Sequence, residues 1–236
     1  VPLKDASERK TPMDERSVDT RGRTLDHAAA VYDICEPILL LGKQGAYNRQ
    51  IVTLLALEAG QNVLDLGCGT GELTRLIADR LEAAGGGRAV GIDAAARMIQ
   101  VARKKRASDS CRFDVVAAES LPYEGAAFDA VVSSLFFHHV DLDLKQRALA
   151  EAFRVLKPGG RLVIADMHIP TTWMGWLVSW TSRWFFLQPQ IGENIRGVLP
   201  ALITSAGFDP PRIDGVYFGY ISIFVSTKPG DGHGTA

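Results

Sequence analysis

The sequence predicts an α/β domain on a doubly wound, mostly parallel sheet, and three observations carry that prediction. Short apolar runs alternate with amphipathic stretches at the spacing of βαβ units. Those runs close on Asp65, Asp93, Ser133-Ser134 and Asp166, polar residues of the kind that the carboxyl ends of parallel strands offer to a ligand crevice. A glycine-rich turn, Gly67-Cys68-Gly69-Thr70-Gly71, follows the first run. With 236 residues, 47% of them apolar and 22% charged, the chain can bury one large core, which excludes wholesale disorder.

Taken in order, residues 1–24 mix basic and acidic side chains with no aromatic residue and read as a mobile arm. Over 25–57 apolar residues recur at helical spacing, interrupted near Gly42 and Gly45, which predicts a helical cap of two or three helices. Residues 62–66 predict the first strand and 72–81 the first covering helix, with a loop at Gly85-Gly86-Gly87. Strands follow at 88–92, 111–116 and 128–133, with a helix at 94–106 between the first two. A helix at 144–156 is stopped by Lys157-Pro158-Gly159-Gly160 before a fifth strand at 161–165. A helical insertion over 169–194 comes next, then a helix at 195–206 ended by Gly207, and 229–236 reads as a flexible tail.

Charge and cysteine usage narrow the function classes. Twenty-six basic residues against 27 acidic give a formal net charge of -1, which argues against nucleic acid as a partner; Arg103-Lys104-Lys105-Arg106 reads as a solvated helix end. Cys35, Cys68 and Cys111 are odd in number and widely spaced, so no disulfide framework is expected and a reducing, cytoplasmic setting is. No run approaches the roughly 20 apolar residues of a membrane span, and residues 1–23 lack the apolar core of a signal peptide.

The glycine turn lets the backbone approach a ligand closely, and the following helix N-terminus offers free N–H groups. Alone it could hold NAD, a flavin, S-adenosylmethionine or nothing. Asp93 stands 22 residues beyond Gly71, where a carboxylate accepts hydrogen bonds from ribose hydroxyls or, alternatively, caps the next helix. The glycine spacing is G-x-G-x-G rather than the dinucleotide G-x-G-x-x-G. Asp65, two residues before the first glycine, repels a pyrophosphate and favours a cationic amino group. A nucleoside carrying an ammonium and a carboxylate, S-adenosylmethionine, matches best.

These residues resemble a known family. Val63 to Gly71 is similar to the first motif of the class I S-adenosylmethionine-dependent methyltransferases, and Gly91-Ile92-Asp93 to their acidic second-strand motif. Glu119-Ser120-Leu121-Pro122 with Phe128-Asp129-Ala130-Val131-Val132, and Arg154 to Leu162, resemble their later signatures. Tyr32-Asp33 and the spacing of the later motifs bring the chain nearest to the ubiquinone/menaquinone C-methyltransferase-like branch. The resemblance implies a Rossmann-like sheet closed by an antiparallel hairpin over 212–217 and 220–227. It implies that Gly67, Cys68, Gly69, Thr70 and Gly71 cradle the methionine end of the cofactor, and that Asp65 binds its ammonium directly or through water. Asp93, with Ala94 beside it, would hold the ribose. Met98 would pack on the adenine, Ala117 and Ala118 would flank it, and Ser134 would sit by the methionine moiety. The family commonly has Asp or Asn at the position of Ala117, so Glu119 or a backbone group must take its place. Tyr32 would close over the cofactor or contact the acceptor.

Methyl transfer from a sulfonium is an in-line displacement in which the protein positions, desolvates and can remove a proton. His138 and His139, after the fourth strand, are the candidate bases, with His139 slightly favoured, and His138 also faces the acceptor. His138, His139, Asp141, Asp143, Asp166 and His168 could gather at adjacent strand ends as metal ligands, but Asp141 and Asp143 stand where they would cap a helix, and no metal is expected. Trp173, Trp176, Trp180 and Trp184 step by three, four and four, forming one stripe on a helix over 171–187. The stripe packs on the domain body, lines an acceptor pocket as a lid through Trp173, Trp176 and Trp180, or touches a membrane surface peripherally. The expected activity is methylation of a small, largely apolar acceptor that is quinone-, lipid- or natural-product-like. The competing readings are a non-catalytic cofactor-binding module and an NAD-dependent oxidoreductase.

Overall fold

The computed structural model describes residues 17–18, 44–185 and 190–230. The helices expected within 25–43, together with Tyr32 and Cys35, and the last six residues of the tail lie outside the described residues. So does the arm, except for Ser17 and Val18.

The chain forms α1 (Gln44–Leu54), β1 (Gln61–Leu66), α2 (Glu72–Ala84), β2 (Gly87–Asp93), α3 (Ala96–Arg106), β3 (Cys111–Val115) and β4 (Phe128–Ser134). A single 3₁₀ turn (Phe137–His139) leads to α4 (Leu142–Val155) and β5 (Leu156–Met167). Then come α5 (Trp173–Phe185), α6 (Ile191–Asn194), α7 (Val198–Ser205), β6 (Arg212–Tyr217) and β7 (Ile221–Thr227). The strands make one seven-stranded sheet in the order β3-β2-β1-β4-β5-β7-β6. The first five are parallel, while β7 runs antiparallel to both β5 and β6.

The central strands read as continuous apolar runs because both faces are covered. In β1, Val63 packs with Ile51, Ile77, Val132 and Val163 on one face. Its neighbour Leu64 packs with Val131, Leu149 and Ile164 on the other. Strand order reverses between β1 and β4, and the loops after these two strands diverge there, which opens the crevice where such sheets take their ligands.

Three elements depart from expectation, each for a local reason. The helix expected from residue 94 starts at Ala96, because the Ala95 N–H donates to the Asp93 carboxylate at 2.9 Å and Ala95 stays extended. The fifth strand starts at Leu156, not after the Pro-Gly-Gly segment. Leu156 already pairs with Phe128, and the ladder absorbs the irregularity as a register shift between Phe128 and Ala130. The helix expected over 195–206 starts only at Val198, after Gly197, as α7, and the short α6 lies just ahead of its expected start. Gly197 has φ +83°, and a Cβ there would lie 2.8 Å from Ile169.

Candidate active site

A cleft of ≈ 400 Å³ opens over the β1–α2 turn, lined by Asp65, Gly67, Cys68, Gly69, Thr70, Glu72, Leu73 and Ser134 together with Gln44 and Asn48 of α1. Gly67 and Gly69 hold φ of +70° and +54°. A Cβ on Gly67 would sit 2.6 Å from the Phe136 ring, so the turn is bare backbone pressed on an aromatic floor. It is braced from outside. The Gly69 N–H donates to Asp93 Oδ2 at 3.1 Å, and the Cys68 N–H to the Ile92 carbonyl at 2.9 Å. Arg106 Nη1 donates to the Thr70 carbonyl at 2.9 Å, and Arg103 Nε to the Phe113 carbonyl at 2.8 Å. Two residues of the basic cluster expected to be solvated are thus committed to backbone, because α3 ends beside the turn and β3.

Asp65 is buried and accepts the Thr74 hydroxyl at 2.6 Å. Burial pushes its pKa up to about 7 against the opposing pull of Thr74, and the Asp93 charge adds to the rise. Glu72 is held by two amides from α1, Gln44 Nε2 at 3.2 Å and Asn48 Nδ2 at 3.3 Å. Sequence reasoning missed Gln44, Asn48, Glu72 and Leu73. The only available signal was a pair of amides spaced four apart, one helical turn on one face. Ser134 Oγ shares a 2.9 Å hydrogen bond with the hydroxyl of buried Tyr47. Two carboxylates around a bare backbone turn suit a cationic amino-acid end group, and a phosphate would meet Asp65 and Glu72 as like charges. The donor set therefore fits S-adenosylmethionine.

On the far side of the turn, Asp93 accepts the Gly69 N–H on one oxygen and the Ala95 N–H on the other. The Ala94 carbonyl accepts the Val18 N–H at 3.0 Å, and Ser17 Oγ accepts the Ala96 N–H at 3.0 Å, so these two arm residues dock on the β2–α3 corner. Met98, Ala117 and Ala118 are buried, and Glu119 is half-buried.

The strand ends of β4 and β5 carry a second polar group. His138 Nδ1 lies 2.9 Å from Asp166 Oδ1, and Asn194 Nδ2 reaches the same oxygen at 3.1 Å. His168 is buried, with Nδ1 unpartnered, and burial lowers its pKa. Asp141 accepts the Leu144 N–H at 2.9 Å as the cap of α4, and Asp143 pairs with Arg147 at 2.7 Å. Among the described residues no group of three or more His, Cys, Asp or Glu side chains is arranged to hold a metal ion.

Trp173 and Trp176 of the α5 stripe face outward. Trp173 and Trp176 are 76% and 55% exposed, Trp180 is half-buried, and none of the three lines the cleft. The helix instead buries Gly175 and Ser179. Gly175 lies so close to the Gly219 backbone in the β6–β7 turn that a Cβ would meet its carbonyl carbon at 2.8 Å. Close backbone approach chose the small-residue face over the tryptophans. Trp176→Ser is accordingly expected to change stability by less than ~0.5 kcal/mol, which thermal unfolding checks. No helix among the described residues is long and apolar enough to cross a membrane.

Comparison with known proteins agrees with the fold and the cofactor. A family described as "Methyltransferase domain" matches residues 63–160. The chain is 31% identical over 219 residues to a demethylmenaquinone methyltransferase of Thermus thermophilus, covering 84% of this chain and 96% of that protein. It is 29% identical over 236 residues to a ubiquinone/menaquinone biosynthesis C-methyltransferase of Rubrivivax gelatinosus, covering 92% and 90%. Among solved structures, a chain from the complex of the Haloferax volcanii Trm112 methyltransferase activator with a methyltransferase superposes with TM-score 0.64 at 21% identity, covering 89% of this chain and 100% of that one. A phosphoethanolamine N-methyltransferase 2 of Haemonchus contortus, solved with S-adenosylhomocysteine, gives TM-score 0.61 at 17% identity, covering 78% and 52%. At these identities the structural matches speak to the fold.

Proposed function

Because the chain belongs to the class I S-adenosylmethionine-dependent methyltransferases, we propose that it methylates a small, largely apolar acceptor of quinol type. The names of its relatives support that acceptor class, since one is named for ubiquinone/menaquinone biosynthesis and the other for demethylmenaquinone. The observation that carries the cofactor end of the reading is the buried Asp65 carboxylate beneath a bare glycine turn. Asp65 takes the cofactor ammonium, and the backbone of Gly67 to Gly71 passes along the methionine chain. Asp93 takes the ribose hydroxyls, with Met98, Ala117 and Ala118 as the apolar walls of the adenine site. Glu72, clamped by Gln44 and Asn48, holds the rim nearest α1. When bound, the cofactor supplies an electrophilic methyl group whose bonding pair stays on sulfur.

Incubation with methyl-labelled cofactor and a reduced, demethylated naphthoquinone tests the acceptor; absence of labelled product would sink it. Asp93→Asn is expected to weaken S-adenosylhomocysteine binding about tenfold, since one charge-assisted acceptor becomes a neutral one. Calorimetric titration reads this directly, and an unchanged affinity would remove Asp93 from the ribose site.

A further inference from the structure

We propose that His138 is the general base for an acceptor carrying a phenol- or enol-type hydroxyl, with Asp166 and Asn194 as its positioning residues; this rests on the methyl-transfer reading above. Asp166 is fully buried near the end of β5 and takes four donors. The Phe137 N–H reaches Oδ2 at 2.7 Å. The Met167 N–H at 2.7 Å, His138 Nδ1 at 2.9 Å and Asn194 Nδ2 at 3.1 Å all reach Oδ1. Burial pushes the Asp166 pKa up, but the His138 charge and hydrogen bond, the Met167 N–H and the His139 charge outweigh it and hold the group below its ordinary value. The carboxylate therefore stays ionised and can only accept. The hydrogen shared with His138 must sit on Nδ1, so in the neutral ring the lone pair is on Nε2.

His138 is only 9% exposed, and its Nε2 has no hydrogen-bond partner among the described residues. The ring stands on the loop after β4, four residues beyond Ser134, which lines the cleft. One nitrogen locked on a buried carboxylate and the other without a partner among the described residues is the arrangement of a base held in one tautomer. The 3₁₀ turn that carries it is fastened at both ends. The Phe137 N–H is bonded to Asp166, and the Val140 carbonyl accepts the fully buried Lys145 ammonium at 2.5 Å. Lys145 also pairs with Glu193 at 2.6 Å, next to Asn194, so one network fixes the loop and α6 together.

Such a base is superfluous for a neutral amine, which already has its electron pair. It is useful for a hydroxyl that must lose a proton first. The O–H bond breaks, the proton passes to Nε2, and the bonding pair stays on the acceptor, on oxygen or delocalised to a conjugated carbon, as the nucleophile for the methyl group. The imidazolium that results lies against Asp166.

Long-range proton–nitrogen NMR of protein labelled with ¹⁵N-histidine, at alkaline pH, reads the tautomer, and His138→Gln assigns the signal. The expected result is the Nδ1–H form in the wild type, lost in Asp166→Asn; an Nε2–H form in the wild type overturns the proposal. With naphthalene-1,4-diol as acceptor under reducing conditions, His138→Gln is expected to lower kcat about a hundredfold, with KM for the cofactor within about twofold. Wild-type kcat in His138→Gln also overturns it. Should Asp166→Asn fail to fold, Asn194→Ala keeps the carboxylate and is expected to retain the tautomer while lowering kcat about threefold to tenfold; a His138 ring that switches to Nε2–H in that variant overturns the positioning role assigned to Asp166. If the wild type leaves the diol unmethylated, the quinol reading fails by itself, and the tautomer measurement still decides for or against the His138–Asp166 geometry.

Discussion

Asp65→Asn is expected to weaken S-adenosylhomocysteine binding about a hundredfold while making the cofactor-free protein more stable above neutral pH. The binding loss is the worth of a buried, charge-assisted contact, about 3 kcal/mol. The stability gain follows from proton linkage. Asp65 in the folded chain has its pKa raised from 3.8 to about 7. Between those values the native state holds a proton that the unfolded chain releases, so stability falls as pH rises through that window, and the full cost is present above pH 7. That cost is on the order of 4 kcal/mol, at 1.36 kcal/mol per unit, and the neutral amide escapes it. The same proton predicts that wild-type cofactor affinity declines as pH drops below about 7, because the protonated acid cannot pair with an ammonium. Thermal unfolding and calorimetry across that range check both. A destabilised Asp65→Asn, or pH-independent affinity, would refute the assignment.

Gly71→Ala is expected to destabilise the protein by about 2–4 kcal/mol and to abolish cofactor binding. Gly71 has φ +86° at the start of α2, which strains any side chain, and its Cβ would run into the Phe113 ring and lie 3.1 Å from Ala102. Phe113 is buried in β3, with the sheet behind it and α3 in front, so it has nowhere to move. Gly60→Ala separates the two causes. Gly60 has a similar φ of +77° with nothing within 4 Å of a Cβ, so it should cost only about 1 kcal/mol, the backbone share. Denaturant unfolding of the pair compares them. Equal losses would mean that the contact with Phe113 counts for nothing.

What could be read ahead of the structure was whatever is local or periodic. The strand–helix alternation, the glycine turn and the carboxylates at strand ends are all visible within a few residues of chain. What could not be read depends on which distant surface arrives. The tryptophan stripe of α5 looks like a core face, yet the neighbour that comes is the Gly219 backbone, which admits only Gly175. The Gln44 and Asn48 amides mean nothing until α2 brings Glu72 against them. Of the two adjacent histidines, only the pairing of β4 with β5 tells which one meets Asp166.

The place of β7 has a bearing on biosynthesis. It lies between β5 and β6, and its first six residues are buried. Gln50 of α1 meanwhile donates to the Asp214 carbonyl at 2.9 Å and accepts the Tyr217 hydroxyl. An early helix is thus satisfied by residues that leave the ribosome more than 160 positions later. Until they emerge, the nascent chain shows an open β5 edge and leaves Gln50 of α1 without these partners, the kind of surface that holdases shield.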